Sequence, residues 1–176
     1  TGCTDTNLTH DIPLVPRPAH LVPGSGNYLF SDKTVFVVEN EEQAAVAASL
    51  ISRFTNAAGF TPKLVVGATE KGDVRFVTDA SLKSEAYSLE VSPEEIIVKA
   101  SGDKGFFYAL QTIRQLLPAS IERESLSDKK EKWSIPVMNV QDEPRFEYRA
   151  LLLDASRFFI PKAVSYTHLT LPTSDL

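Results

Sequence analysis

The chain has 176 residues, 43% apolar and 23% charged, with a formal net charge of -5. That is room for one domain with a proper core and part of another, in the composition of an ordinary globular protein. Both signs of charge are interspersed and offer no footprint for a nucleic-acid backbone or an anionic membrane surface, and no apolar run is long enough to cross a bilayer as a helix.

The single cysteine, Cys3, has no partner for an internal disulfide. It stands in "TGCTDTNLTHD", with small residues before it and a polar stretch after it. A bacterial lipoprotein site has that pattern, and so does an exposed thiol. Residues 1–11 are expected to be a tether outside the fold. From 12 to 38, "IPLVPRPAHLVPGSGNYLFSDKTVFVV", short apolar stretches cut by Pro and Gly predict edge strands and turns, ending in a β-branched strand at Val35 to Val38.

The period then changes to that of a helix. In "NEEQAAVAASLISRFTNAAG", Val46, Leu50, Ile51 and Phe54 fall on one face, and Asn40 is placed to cap with Gln43 three residues on. Glu41 and Glu42 suit the positive end of this helix and Gly59 its stop. Four strand-like runs follow: "KLVV" from Lys63, "DVRFVT" from Asp73, "YSLEV" from Tyr87 and "EIIVKA" from Glu95. Tyr87, Leu89 and Val91 alternate with Ser88 and Glu90, which gives that strand one dry face and one wet face. Pro93 in "SPEE" predicts a type I turn and an antiparallel hairpin.

A second helix is predicted in "SGDKGFFYALQTIRQLLP", with Phe106, Leu110, Ile113 and Leu117 on one stripe and Pro118 as its end. "ERESLSDKKEK", 122–132, has mixed charge without periodicity and reads as a solvated loop. "WSIPVMNVQDEPRF" supplies a last strand and a connector. The expected architecture is therefore α+β over 12–142: a two-layer sandwich of a mostly antiparallel sheet with two helices.

Chemistry-bearing patterns are scarce over residues 1 to 143. His10, His20 and His168 lie far apart, without metal-like spacing. No G-x-S-x-G marks a nucleophile elbow, and "GSG" at Gly24 to Gly26 is too short for a phosphate cradle and reads as a turn. Glu41 with Glu42 and Glu94 with Glu95 are acids of a helix start and a turn. Neither a metal nor a cofactor is expected.

Residues 144–162, "PRFEYRALLLDASRFFIPK", differ. Leu151 to Leu153 form the continuous apolar run of a parallel strand buried on both faces, with polar residues gathered after its end. "GDKGFFYALQTIRQLL" and "IPVMNVQDEPRFEYRALLLDASRFFIPK" resemble the family 20 glycoside hydrolases, the β-N-acetylhexosaminidases, over roughly residues 12 to 163. In that family an α+β domain precedes a (β/α)8 barrel. The resemblance implies that 143–163 begin that barrel, with its first strand at "PRFEYRALLLDASRFF". This chain departs from the pattern at Ala150, where the family usually has Gly, and at Phe158, where it has His.

The resemblance further implies that Arg157, at the catalytic end of the strand, donates hydrogen bonds to hydroxyls of a terminal N-acetylhexosamine, a task suited to a planar guanidinium. Asp154 is its structural support; read from the residues alone, without the resemblance, the favoured role of Arg157 is to pair with Asp154 and close the strand end. The family reaction is substrate-assisted: the acetamido oxygen attacks the anomeric carbon, an Asp orients it, and a Glu protonates the leaving oxygen. Those acids belong to a later strand, so none is assigned in this chain. Glu147 and Asp142 precede the strand and do not replace them.

After Lys162, "AVSYTHLTLPTSDL" is poor for the helix that should follow. "VSYTHLTLPT" resembles a translated transposon-end sequencing adapter, and 164–176 are expected to be a non-native tail. The preferred expectation is a truncated, exported bacterial hexosaminidase, periplasmic or in the outer membrane, joined to the membrane only through lipid on Cys3. Its partner is a glycan with a terminal N-acetylhexosamine. The alternatives are a noncatalytic support or interaction module, or the leading domain of another glycosidase family; "DASRFF" speaks against the latter.

Overall fold

The computed structural model describes residues 12–67, 71–127, 131–150, 152, 154 and 157. It divides into a unit ending at Pro144 and a second beginning at Arg145. The leading unit runs β1 His20–Leu29, β2 Val35–Val38, α1 Glu41–Arg53, β3 Lys63–Val66, β4 Val74–Thr78, β5 Tyr87–Val91, β6 Ile96–Ala100, α2 Asp103–Leu116 and β7 Ser134–Asp142. All seven strands join one sheet in the order β1-β7-β5-β6-β4-β2-β3.

The α+β class is as expected, but the balance of strand directions is not. β1 with β7, β7 with β5 and β5 with β6 are antiparallel, whereas β6 with β4, β4 with β2 and β2 with β3 are parallel. The sheet is mixed, half of each kind. Alternation in a short run tells which side chains share a face and nothing about the neighbour's direction. Only the 87–100 hairpin announces its pairing. There Ser92 Oγ accepts from the N–H groups of Glu94 and Glu95 at 3.2 and 2.9 Å and closes the turn.

Both helices contribute to a core on one side of the sheet. Phe36, Val74, Ile96, Val91 and Met138 form one buried cross-strand row, and Phe76, Val98, Leu89 and Val140 the next. Against them lie Ala47 and Leu50 of α1, Phe54 just after it, and Phe106, Leu110 and Ile113 of α2. Phe54, wholly buried, sits 4.9 Å from the Phe30 ring and 6.2 Å from Trp133, joining the chain's early and late segments. Burying an aromatic side chain of this size contributes roughly 1.5–3 kcal/mol.

The caps follow the sequence closely. Asn40 Oδ1 accepts from the Gln43 backbone N–H at 2.9 Å, and Gln43 Oε1 accepts from the Glu39 N–H at 2.8 Å. α1 does not run straight into its glycine: a π-helical turn, Phe54–Ala58, intervenes before Gly59 stops the chain at φ 74. The "GSG" segment is not a turn between strands. It is an irregularity inside β1, where Pro23 pairs with Met138 and Asn27 with Pro136, so three residues oppose one. Gly26 takes φ 99 there, a conformation glycine adopts without steric cost.

Candidate functional site

In the second unit, Asp154 Oδ1 accepts from the Arg157 backbone N–H at 3.2 Å, and Asp154 Oδ2 pairs with Arg157 Nε. The local arrangement is a side-chain-capped turn, the i to i+3 contact a short carboxylate makes readily. The Arg157 side chain is 88% exposed, so its terminal nitrogens face solvent while Nε is held. No described residue after Asp142 belongs to a strand, and Leu152 is 88% exposed. The expected strand at Leu151 to Leu153 is therefore not formed at the described residue; Leu151 and Leu153 lie outside the described residues. A strand buried on both faces takes its hydrogen bonds from neighbouring strands.

Among the described residues, none after Asp142 belongs to the leading seven-stranded sheet. Cys3, His10, Phe158, His168 and the tail 164–176 lie outside the described residues. Asp142 Oδ1 accepts from the Ala19 N–H at 3.0 Å, which anchors the start of β1. Glu147 is exposed. Glu41 and Glu42 occupy the first turn of α1, and Glu95 accepts from Arg75 Nη2 at 3.0 Å. Asp142, Glu41, Glu42 and Glu95 thus serve as a strand anchor, helix-start charges and an ion-pair partner.

Among the described residues, no three of His, Cys, Asp and Glu gather to hold a metal ion. No described helix is long and apolar enough to cross a membrane. The perturbed groups are structural. Burial pushes the Tyr87 hydroxyl up to about 12, against the lowering effect of its 2.6 Å bond with Thr112 Oγ1. Burial likewise raises Tyr28. Glu122 is held below the ordinary carboxylate range by hydrogen bonds from Arg114. Its carboxylate also lies 3.4 Å from Arg53 Nη1, so it links both helices to the turn that follows α2. The charged stretch 122–132 reads as a solvated loop; Glu122, its first residue, is instead a half-buried staple.

One polar arrangement escapes a motif search: His20, Gln141, Ser88 and Lys99 form a row across four strands on the helix-free face. The available signal was the wet side of "YSLEV". Nothing along the chain says which other strands that side will meet.

Residues 11–143 match the sequence profile of glycosyl hydrolase family 20, domain 2. The chain is 29% identical over 152 residues to a beta-hexosaminidase of Porphyromonas gingivalis, a match over 85% of this chain and 19% of that relative. It is 27% identical over 157 residues to an N,N'-diacetylchitobiase of Vibrio harveyi, covering 85% of this chain and 16% of the relative. Among solved structures, the Streptomyces plicatus N-acetyl-beta-hexosaminidase superposes with a TM-score of 0.71 at 28% identity, over 81% of this chain and 28% of that one. The exo beta-N-acetylglucosaminidase of Vibrio harveyi, solved with N-acetylglucosamine, does so at 0.68 and 26% identity, over 91% and 23%. The chain thus spans under a fifth of the length of these two curated relatives. With three quarters of its length matched to one family profile and its sheet shared with solved members, the chain belongs to glycosyl hydrolase family 20, of which residues 11–143 form domain 2.

Proposed function

We propose that this chain is the leading part of a β-N-acetylhexosaminidase that releases terminal β-linked N-acetylglucosamine or N-acetylgalactosamine from glycans. The observation that carries the reading is the match to domain 2 together with relatives named as hexosaminidases over 85% of the chain. In this reading 12–142 form a supporting domain and 143–163 begin a (β/α)8 barrel. The barrel's later strands supply the Asp that orients the substrate's acetamido group and the Glu that protonates the leaving oxygen.

Arg157 then recognises the sugar. Its Nε is occupied by Asp154 while its terminal nitrogens are exposed, so the guanidinium plane is set by the carboxylate and its free fork can bridge two vicinal hydroxyls. Asp154 is the positioning residue. Cys3 is the site of lipid attachment in an exported protein, and residues 1–11 are the tether. Residues 164–176 are the adapter-derived tail. No metal or cofactor takes part in the reaction.

The test compares the chain alone with the chain joined to the continuation of its reading frame, both assayed on a chromogenic N-acetyl-β-glucosaminide. Turnover is expected only from the longer protein, and hydrolysis by residues 1–176 would refute the division of labour. In the longer protein Arg157→Lys should lower kcat/KM roughly ten- to a hundredfold, since a lost hydrogen bond to a charged group is worth about 1.5–3 kcal/mol. Unchanged kinetics would remove Arg157 from the site. Mass spectrometry of the exported protein should find acyl chains on Cys3; an unmodified thiol would discard the anchor.

A further inference from the structure

The helix-free face of the sheet holds a recess of about 380 Å³ that the hydrolase reading does not use. Its floor is one cross-strand row: His20 of β1 opposite Gln141 of β7, Gln141 opposite Ser88 of β5, and Ser88 opposite Lys99 of β6. Registered residues project from the same side of a sheet, and strands lie about 4.8 Å apart. The row therefore sets an imidazole, a carboxamide, a hydroxyl and an ammonium along about 14 Å.

The side chains of His20, Gln141 and Ser88 have no hydrogen-bond partner among the described residues. Lys99 alone in the row is engaged, donating to Glu90 Oε1 at 2.7 Å. Elsewhere on the same face Arg75 is paired with Glu95. The three unpaired side chains of the row lie together where the surface is concave. Small-ligand sites have this form: a volume of roughly 300–1,000 Å³, some apolar wall and a few convergent polar groups. Leu82 and Ala86 line the recess and supply that wall.

Charge narrows the ligand. Asp79, Glu90, Asp142 and Glu143 also line the recess and outnumber the Lys99 ammonium, so an anion is repelled. No metal-holding group of His, Cys, Asp and Glu exists among the described residues. A neutral molecule rich in hydroxyl groups satisfies the row without carrying charge into it.

We propose that this recess is a noncatalytic subsite for a neutral saccharide, whose hydroxyls hydrogen-bond Ser88, Gln141 and His20 while a C–H face of the ring rests on Leu82 and Ala86. The site lies wholly within the leading unit and does not depend on the hydrolase reading. Binding here and turnover by a longer protein are separate measurements.

The experiment is a titration of the isotope-labelled full chain with triacetylchitotriose and, separately, with maltotriose, following backbone amide resonances. Millimolar binding of either sugar is expected, with shifts confined to Ser88, Lys99, Gln141 and their neighbours. Ser88→Val with Gln141→Leu should weaken binding about tenfold or more, because each lost neutral hydrogen bond removes part of the affinity. Val22→Ser, on the same face outside the row, should leave it unchanged. Absence of shifts with both sugars, shifts centred elsewhere, or a double variant that binds as the parent does would each overturn the proposal. If the double variant fails to fold, the shift map of the parent chain decides. A heparin-derived disaccharide binding as tightly as the neutral sugars would overturn the assignment of ligand charge.

Discussion

Leu89 in "YSLEV" is wholly buried, while Leu152 in "RALLLDAS" is 88% exposed. Both belong to apolar runs that read as strands; Leu89 lies in one, and Leu152, the described residue of its run, does not. The difference is in what each run requires. An alternating strand needs one packed face, and Leu89 finds it between Val98 and Val140 under α2. A continuous apolar run needs cover on both faces and ladder partners on both edges. Hydrophobicity supplies the demand for burial; neighbours decide whether the demand is met.

Four experiments would break or sharpen this contrast, all read as chemical unfolding of the full chain. The largest effect is expected for Phe54→Ala. That ring fills the space between Phe30, Phe60 and Trp133, and its removal should cost about 3–5 kcal/mol through lost burial and a residual cavity. A loss below about 1 kcal/mol would mean that this part of the core is poorly packed. Next comes Thr112→Val. It nearly preserves shape but leaves the buried Tyr87 hydroxyl without its 2.6 Å partner, at a cost of about 1–3 kcal/mol. Converting Tyr87 to Phe in the same background should recover part of that loss, because the stranded hydroxyl is then gone.

A smaller effect concerns acid. Arg114 holds the Glu122 carboxyl below its ordinary value, so the folded state favours the ionised form. The resulting stability is fully present above the unfolded carboxylate pKa and is lost as pH falls through the depressed folded value. The pair is about one-third exposed, which limits its contribution to about 1 kcal/mol or less. Glu122→Gln should therefore be less stable than the parent chain near neutrality, and the gap should close in acid. A gap independent of pH would assign the effect to packing. The smallest change is expected for Leu152→Ser, within about 0.5 kcal/mol of the parent because the side chain is already in water. A large loss there would show that Leu152 is buried in solution and that the contrast with Leu89 is false.

Much of the local structure was legible before any coordinates. The Asn40 cap, the acidic first turn of α1, the Gly59 stop, the Pro118 terminator and the 87–100 hairpin are all short-range devices, in which a side chain meets backbone a few residues away. The GSG segment reads as a turn but forms a bulge, because a glycine pair suits both and the facing Val137 distinguishes them. The parallel pairing of β2, β3, β4 and β6 is not legible for a related reason: strands that are not joined by a tight turn choose their neighbours through packing, as α1 does between β2 and β3, and no turn residue records it.

The sequence by itself determined the class of the domain, the ends of its helices and the two sides of its strands, because these depend on periodicity and contacts within a few residues. It also held the motif that first suggested family 20, including Asp154 and Arg157. Only the tertiary structure decided the strand order and the mixed directions of the sheet. It also gathered His20, Ser88, Lys99 and Gln141 from four separated segments into one row. The physical reason is that ladder register is a property of pairs of strands, settled by which faces must be buried together, and a single strand read alone carries half of that information.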